Sequence, residues 1–162
     1  MITTERELTA GARRRNLKPF PHSLPAVLMR AREAVMARVR PTLRTYDLTE
    51  PQWRVLRTLG SIEEVEVTQL AEMVFLLPSS LSRILRDLSE RGLIQRRTSS
   101  IDLRRGLVSI SDKGMDILEA ATPETTKVNA QIEQLFGAER MARLRGLLRE
   151  LEEALGPGQP GE

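Results

Sequence analysis

The stretch of sequence that decides the fold is residues 78–110, which read PSSLSRILRDLSERGLIQRRTSSIDLRRGLVSI. Its first part predicts a helix that begins near Pro78 and ends at Gly92. The apolar face of this helix consists of Leu81, Ile84, Leu85 and Leu88. Two short β-prone segments follow, 93–97 and 106–110, and the polar residues between them predict a hairpin with an extended tip.

Two helical patterns begin the chain's folded part. Ser23 can cap a helix that runs to about Tyr46, with apolar residues every three or four positions and a kink or loosened turn expected at Pro41. The segment Thr-Glu-Pro-Gln at 49–52 predicts a capping box with proline in the first turn. The helix that it starts is expected to end at Gly60.

A third helix is expected to begin at Thr68. Its inward residues are Leu70, Ala71, Met73 and Val74. Three short helices followed by a two-stranded hairpin, over residues 47–110, have the order of a winged helix-turn-helix, which presents its last helix to the major groove of DNA. The predicted fold class is therefore mainly α with a small β-hairpin wing.

The rest of the chain predicts two longer helices and two irregular ends. Ser111 can cap a long helix that is kinked at Pro123, and Gly137 precedes a last helix. Apolar residues of the last helix alternate three and four positions apart, a seam for helix pairing, and they are Met141, Leu144, Leu148, Leu151 and Leu155. Residues 1–21 predict a flexible basic arm, and residues 156–162 a disordered tail.

The helix at 78–92 and the hairpin tip carry the candidate DNA contacts. With the apolar face buried, the outward residues of the helix are Ser79, Ser80, Ser82, Arg83 and Arg86. Arginine can read guanine bidentately, and small hydroxyls allow a close approach to bases and phosphates. At the tip, Asp102, Arg104 and Arg105 suit a narrow minor groove. The plainer alternative is capping serines, a solvated arginine face and a weak Asp102–Arg104 surface pair.

The charge distribution supports these positions. The formal net charge is only +3, yet residues 78–110 carry seven basic and three acidic groups, and residues 22–46 carry five and one. Residues 47–77 and 111–162 are acidic and offset them. Of the 25 basic residues 22 are arginines, which suit phosphate, guanine and carboxylate partners. A genome-wide bias toward arginine codons explains the excess equally well.

Composition argues against several other classes of protein. The chain has no cysteine and one histidine, so disulfides, thiolate sites and multi-histidine metal sites are excluded, and no metal or cofactor is expected. No apolar run reaches the roughly 20 residues of a membrane span, and a cytoplasmic protein is expected. No paired carboxylates, nucleophile with base, or phosphate loop is evident, so an enzyme ranks last. A winged helix that binds a protein partner is the alternative to DNA binding.

Several of these motifs together resemble the MarR family of bacterial transcription regulators. They are Leu48 to Trp53, Leu81 to Ile94, Asp102-Leu103-Arg104, and Ile110 to Gly114. The resemblance implies a homodimer on a pseudo-palindromic operator, with residues 22–46 and 111–155 as the dimerisation helices. It places Arg104 in the minor groove, with Asp102 orienting it. Where the family branch often has a proline directly before the serine matching Ser80, this chain has Ser79.

Within the family, the chain is similar to repressors of homoprotocatechuate and related aromatic-acid degradation operons. Three stretches carry this narrower likeness, namely Ala31 to Ala34, Arg40-Pro41 and Leu48 to Arg54. The likeness implies an aromatic carboxylate effector. The candidate contacts are Arg32, Met36 and Arg40, spaced four residues apart on one side of the first helix, and Trp53 and Arg54 at the start of the second. Arginine would pair the carboxylate, and the indole and thioether would form the pocket wall. Alternatively, Trp53 is a core residue and Arg32 pairs with a protein carboxylate.

Overall fold

The computed structural model describes residues 22–98 and 106–156, and this part of the chain is mostly helical with one small antiparallel sheet. The helices are α1 (Leu24–Thr45), α2 (Glu50–Leu59), α3 (Val67–Met73), α4 (Pro78–Glu90), α5 (Asp112–Phe136) and α6 (Ala138–Leu155). The strands are β1 (Val65–Glu66), β2 (Ile94–Thr98) and β3 (Gly106–Ile110). The predicted fold class is confirmed. The predicted arm, the hairpin tip at 99–105 and the tail after Gly156 lie outside the described residues.

The chain divides into two compact units, residues 1–37 and 38–162. The described part of the first unit is mainly the beginning of α1, where the Ser23 hydroxyl accepts a hydrogen bond from the Ala26 N–H at 3.4 Å. Five large apolar side chains of this segment are exposed, namely Leu24, Val27, Leu28, Met29 and Val35. The helix itself continues through Pro41 to Thr45 without interruption.

The core of the second unit forms around α2, which packs against α5 and β3. The predicted capping box is present. The Thr49 N–H donates to Gln52 Oε1 at 2.7 Å, and the Gln52 N–H donates to Thr49 Oγ1 at 3.5 Å. The helix then buries Val55, Leu56 and Leu59 completely, and these residues give α2 one apolar face fixed in the core.

The sheet has three strands in the order β1-β3-β2, all antiparallel, and not only the predicted hairpin. Strand β1 pairs Val65 with Val108 of β3, on the side opposite β2.

The next helix begins directly after β1 at Val67, and not at the predicted Thr68. Met73, predicted to be inward, is 47% exposed. Two turns that bury Leu70, Ala71 and Val74 leave position 73 about 100° away from that face.

A tight junction joins the end of α4, the sheet and α5. The chain leaves α4 through Gly92, whose φ of 72° favours glycine. The predicted cap at Ser111 is confirmed, since its hydroxyl accepts from the Gly114 N–H at 3.0 Å and donates to the Gly92 carbonyl at 2.7 Å. A Cβ on Gly114 would lie 2.1 Å from the Leu93 carbonyl oxygen, so only glycine fits at this crossing. The junction therefore fixes α4 and the wing strands to α5.

Helices α5 and α6 leave a large apolar surface uncovered in the single chain. Helix α5 runs through Pro123 without interruption, and α6 has no buried residue. The exposed large side chains of the two helices, here called the α5–α6 apolar surface, are Leu135, Phe136, Leu144, Leu147, Leu148 and Leu155. Three leucines of the predicted pairing seam, at 144, 148 and 155, belong to this surface.

Candidate nucleic-acid interface

Helix α4 presents one polar face to solvent and buries the other. Leu81, Leu85 and Leu88 are fully buried, which fixes the rotation of the helix about its axis. Ser79, Ser82, Arg83 and Arg86 are exposed, as the sequence predicts. A rigid helix with serines and arginines on its outer face has the chemistry needed to contact phosphates and base edges.

The first turn of α4 corrects one detail of that prediction. The helix begins with Pro78 at its first position, so Ser79 and Ser80 are its second and third residues. Ser80 is half-buried, whereas the spacing predicts it outward. The N-cap residue, Leu77, makes no side-chain capping bond. The first-turn N–H groups of Ser79 and Ser80 are therefore available to a phosphate oxygen, as at other helix N-termini.

The arginines of this region fall into two groups. Within residues 22–98 and 106–156, Arg83 and Arg86 form no ion pair. Arg91 lies 3.5 Å from an Asp47 carboxylate oxygen and 3.6 Å from one of Asp87. The charge of Arg91 is thus balanced by protein carboxylates, while the charges on the outer face of α4 are not. Uncompensated positive charge on one face is the feature that attracts the DNA backbone.

Strand β2 separates two neighbouring arginines by its alternation. Arg97 donates to both carboxylate oxygens of Glu64, at 2.6 and 2.5 Å. Arg96 is exposed, and alternation along the strand places it on the face opposite Arg97, the same face as its register partner Val108. Arg96 makes no ion pair within the described part of the chain. Arg96 was not among the predicted DNA contacts. Its spacing of two residues from the apolar Ile94 indicated the face of the strand on which it lies.

The predicted wing-tip contacts, Asp102, Arg104 and Arg105, lie outside the described residues. What the structure provides is the base of the wing. Strands β2 and β3 pair from Ile94–Ile110 out to Thr98–Gly106, where the tip begins.

Two predicted effector residues lie around a carboxylate of the protein itself. Arg40 Nη2 is 3.4 Å from Glu50 Oε2, and Arg54 Nη2 is 3.6 Å from Glu50 Oε1. Arg54 also donates to the backbone carbonyl of Val74 at 2.9 Å. The Glu50 side chain is only 14% exposed. The structure therefore brings Arg40 and Arg54 together, with an internal carboxylate between them that the sequence did not suggest.

The remaining predicted effector residues lie on α1 and α2. Trp53 is half-buried and so is not a fully enclosed core residue, and the Arg57 guanidinium lies 5.8 Å from the centroid of its ring. Arg32 and Met36 are part of the first unit, in an earlier portion of α1. Arg32 makes at least one polar interaction, so it is not an unpaired charge.

The described residues hold neither a membrane-spanning helix nor a metal-binding cluster. None of the helices there is both long and apolar enough to cross a membrane. In the same part of the chain, no group of three or more histidine, aspartate or glutamate side chains is placed to hold a metal ion.

Comparison with known proteins identifies the family. Residues 48–105 match the MarR family profile. The homoprotocatechuate degradative operon repressor of Escherichia coli is 34% identical over 128 residues, which cover 79% of this chain and 86% of the relative. The crystal structure of transcriptional regulator PA4135 superimposes with a TM-score of 0.77 at 37% identity, over 81% and 96% of the two chains. NadR in complex with 4-hydroxyphenylacetate superimposes with a TM-score of 0.70 at 32% identity, over 83% and 96%. The chain belongs to the MarR family of transcriptional regulators.

Proposed function

We propose that this protein is a repressor that binds a pseudo-palindromic operator as a homodimer and is released by an aromatic carboxylate. The observation that carries the DNA-binding proposal is the outer face of α4. The exposed residues of this face are Ser79, Ser82, Arg83 and Arg86. Three fully buried leucines hold the opposite face of the helix in the core. The repressor that is 34% identical supports the direction of regulation.

The proposed contacts divide into base contacts and phosphate contacts. Arg83, one turn into α4 and without an ion pair among the described residues, is proposed to read a base edge. Arg86 and the first-turn N–H groups of Ser79 and Ser80 are proposed to contact phosphates. By the family resemblance, Arg104 is proposed to enter the minor groove, with Asp102 orienting it and Arg105 beside it.

Substitution of Arg83 tests base reading directly. We expect Arg83→Ala to lose about 1 to 3 kcal/mol of discrimination at one or two base pairs of each half-site, because a bidentate arginine–guanine contact is removed. The measurement is fluorescence anisotropy against duplexes that carry every single base-pair change. Arg143→Ala, an exposed arginine of α6 on the side away from the leucine seam, is the matched control and should retain the full pattern. A uniform loss at every position would show that Arg83 contacts phosphate only.

The homodimer proposal is supported by the α5–α6 apolar surface. Six large apolar side chains are exposed on two helices in the single chain, and Leu148 is 41% exposed at the middle of the seam. Exposed apolar patches of this kind are typical of protein interfaces. A second copy of the same surface would bury it and would place two α4 helices on one face, with half-sites about one helical turn, ~34 Å, apart.

The effector proposal is supported by the arginine–carboxylate cluster and by one relative. Arg40 and Arg54 already hold a carboxylate, that of Glu50, so an added aromatic acid would compete with Glu50 for their guanidinium groups. NadR, 32% identical, has been crystallised with 4-hydroxyphenylacetate. We therefore propose a hydroxylated phenylacetate or a similar aromatic acid, with Trp53 as a further contact.

Thermal denaturation with a matched ligand pair tests the effector class. At 100 times its Kd, 4-hydroxyphenylacetate is expected to stabilise the protein by about 2.7 kcal/mol and to raise Tm by roughly 5 to 10 °C. The neutral analogue 4-hydroxyphenylacetamide should give no comparable rise, because it cannot pair with arginine as a carboxylate does. Equal stabilisation by acid and amide, or none by any aromatic acid, would contradict the effector proposal and leave the DNA-binding proposal standing.

A further inference from the structure

The side chain of Gln52 uses both ends of its amide. Its Oε1 accepts from the Thr49 N–H at 2.7 Å and completes the capping box of α2. Its Nε2 donates to Asp87 Oδ2 on α4 at 2.6 Å, across 35 residues of sequence. The sequence predicts only the first of these bonds. The second joins the beginning of α2 directly to the helix that presents the candidate DNA contacts.

Asp87 lies at the centre of a small polar network. It is half-buried and follows Arg86, one turn after Arg83, and it is also 3.6 Å from Arg91. Arg91 in turn reaches Asp47, in the turn after α1, at 3.5 Å. The network borders a cleft of about 340 Å³ lined by Arg44, Asp47, Leu48, Thr49, Gln52 and Arg91. The end of α4 is thus joined to the beginning of α2 by one hydrogen bond, and to the turn after α1 by the ion pairs of Arg91.

Apolar packing and this hydrogen bond do different things for α4. Burial of Leu81, Leu85 and Leu88 stabilises the helix, but hydrophobic contact is non-directional and tolerates small shifts along the packed surface. A hydrogen bond to a carboxylate weakens steeply with a change of angle or distance. The leucines therefore determine which face of α4 is buried, whereas the Gln52–Asp87 bond is suited to fix the position and tilt of the helix on that packed surface.

We propose that Gln52 is a positioning residue for DNA recognition: through its bond to Asp87 it fixes the orientation in which α4 presents Arg83 to the operator. This inference rests on the proposed DNA-binding function. Gln52 lies on α2, and its proposed effect is transmitted through Asp87 and not by contact with DNA.

The test uses the different chemistry of the two ends of the amide. Gln52→Glu keeps an oxygen for the Thr49 N–H but removes the N–H donor and sets a second carboxylate against Asp87. Asp87→Asn, added to Gln52→Glu, restores a donor with the bond reversed. Thr49→Ala is the control for the capping box, because it removes the Oγ1 cap and leaves the Gln52–Asp87 bond in place.

The readouts are the ratio of operator affinity to scrambled-duplex affinity at one fixed salt concentration and the salt dependence of operator affinity. We expect Gln52→Glu to lower this ratio about tenfold with little change in the salt slope, since the phosphate contacts remain. The affinity ratio of the double variant should recover to within about threefold of wild type. It should exceed the ratio expected if the losses measured for Gln52→Glu alone and Asp87→Asn alone were independent. Thr49→Ala should keep the wild-type ratio.

Other results would contradict either the positioning role of Gln52 or the proposed DNA-binding function. A wild-type ratio in Gln52→Glu, or losses in the double variant that merely add, would refute the positioning role. An equal loss in Thr49→Ala would assign the effect to helix capping. If Gln52→Glu fails to fold, Gln52→Met, which is uncharged and cannot donate, replaces it with the same expected loss. A wild-type protein with no preference for any duplex would overturn the proposed function, and the positioning role with it.

Discussion

Leu148→Asp is expected to convert the protein from a dimer to a folded monomer. Leu148 is 41% exposed in the single chain and lies at the middle of the α5–α6 apolar surface. Burying an unpaired carboxylate at a dimer interface costs several kcal/mol, so the dimer dissociation constant should rise by at least about 100-fold. Because the side chain is not part of the core of the protomer, the helical circular dichroism signal should be retained.

Loss of the dimer should also lower the affinity for the operator. Two recognition helices held in one dimer bind two half-sites with the benefit of a high effective concentration, and a monomer loses that benefit. Sedimentation velocity gives the mass, and anisotropy gives the affinity for DNA. Ala142→Asp introduces the same side chain on α6, about 120° from Leu148, and should remain dimeric. A Leu148→Asp protein that sediments as the wild-type species would place the dimer interface elsewhere.

The helices were predictable because their signals are local. The capping box at Thr49 and Gln52 and the cap at Ser111 each depend on residues three positions apart, and both are present in the structure. Strand β1 was not predictable, because two residues show no alternation and Val65 becomes a strand only by pairing with Val108. Met73 was assigned inward because a two-turn helix has too few residues to define its buried face.

The candidate site was predictable in its residues but less so in their partners. The buried leucines of α4 determine that Arg83 and Arg86 face outward, and this follows from spacing alone. The partners of other charged groups come from distant segments. Glu64 is 33 residues from Arg97, and Asp87 is 35 from Gln52. No local pattern distinguishes an arginine held by such a carboxylate from an arginine available to a ligand.

The same reason applies to the predicted effector residues. The spacing of Arg32, Met36 and Arg40 on α1 suggests a basic face open to an acid. The structure instead places the Glu50 carboxylate between Arg40 and Arg54, from a helix that follows in sequence. This pairing with Glu50 joins residues from different helices and so is not evident from the sequence pattern of either helix alone.

The central claim is sequence-specific DNA binding, and a competition titration of the wild-type protein tests it most directly. The protein is titrated against the duplex upstream of its own gene and against a scrambled duplex of equal length, at several salt concentrations. The expected result is a preference of at least about 1,000-fold for the upstream duplex, with two chains bound per operator. Equal affinities for both duplexes, with the same salt slope, would contradict the claim and favour a winged helix that binds a protein partner.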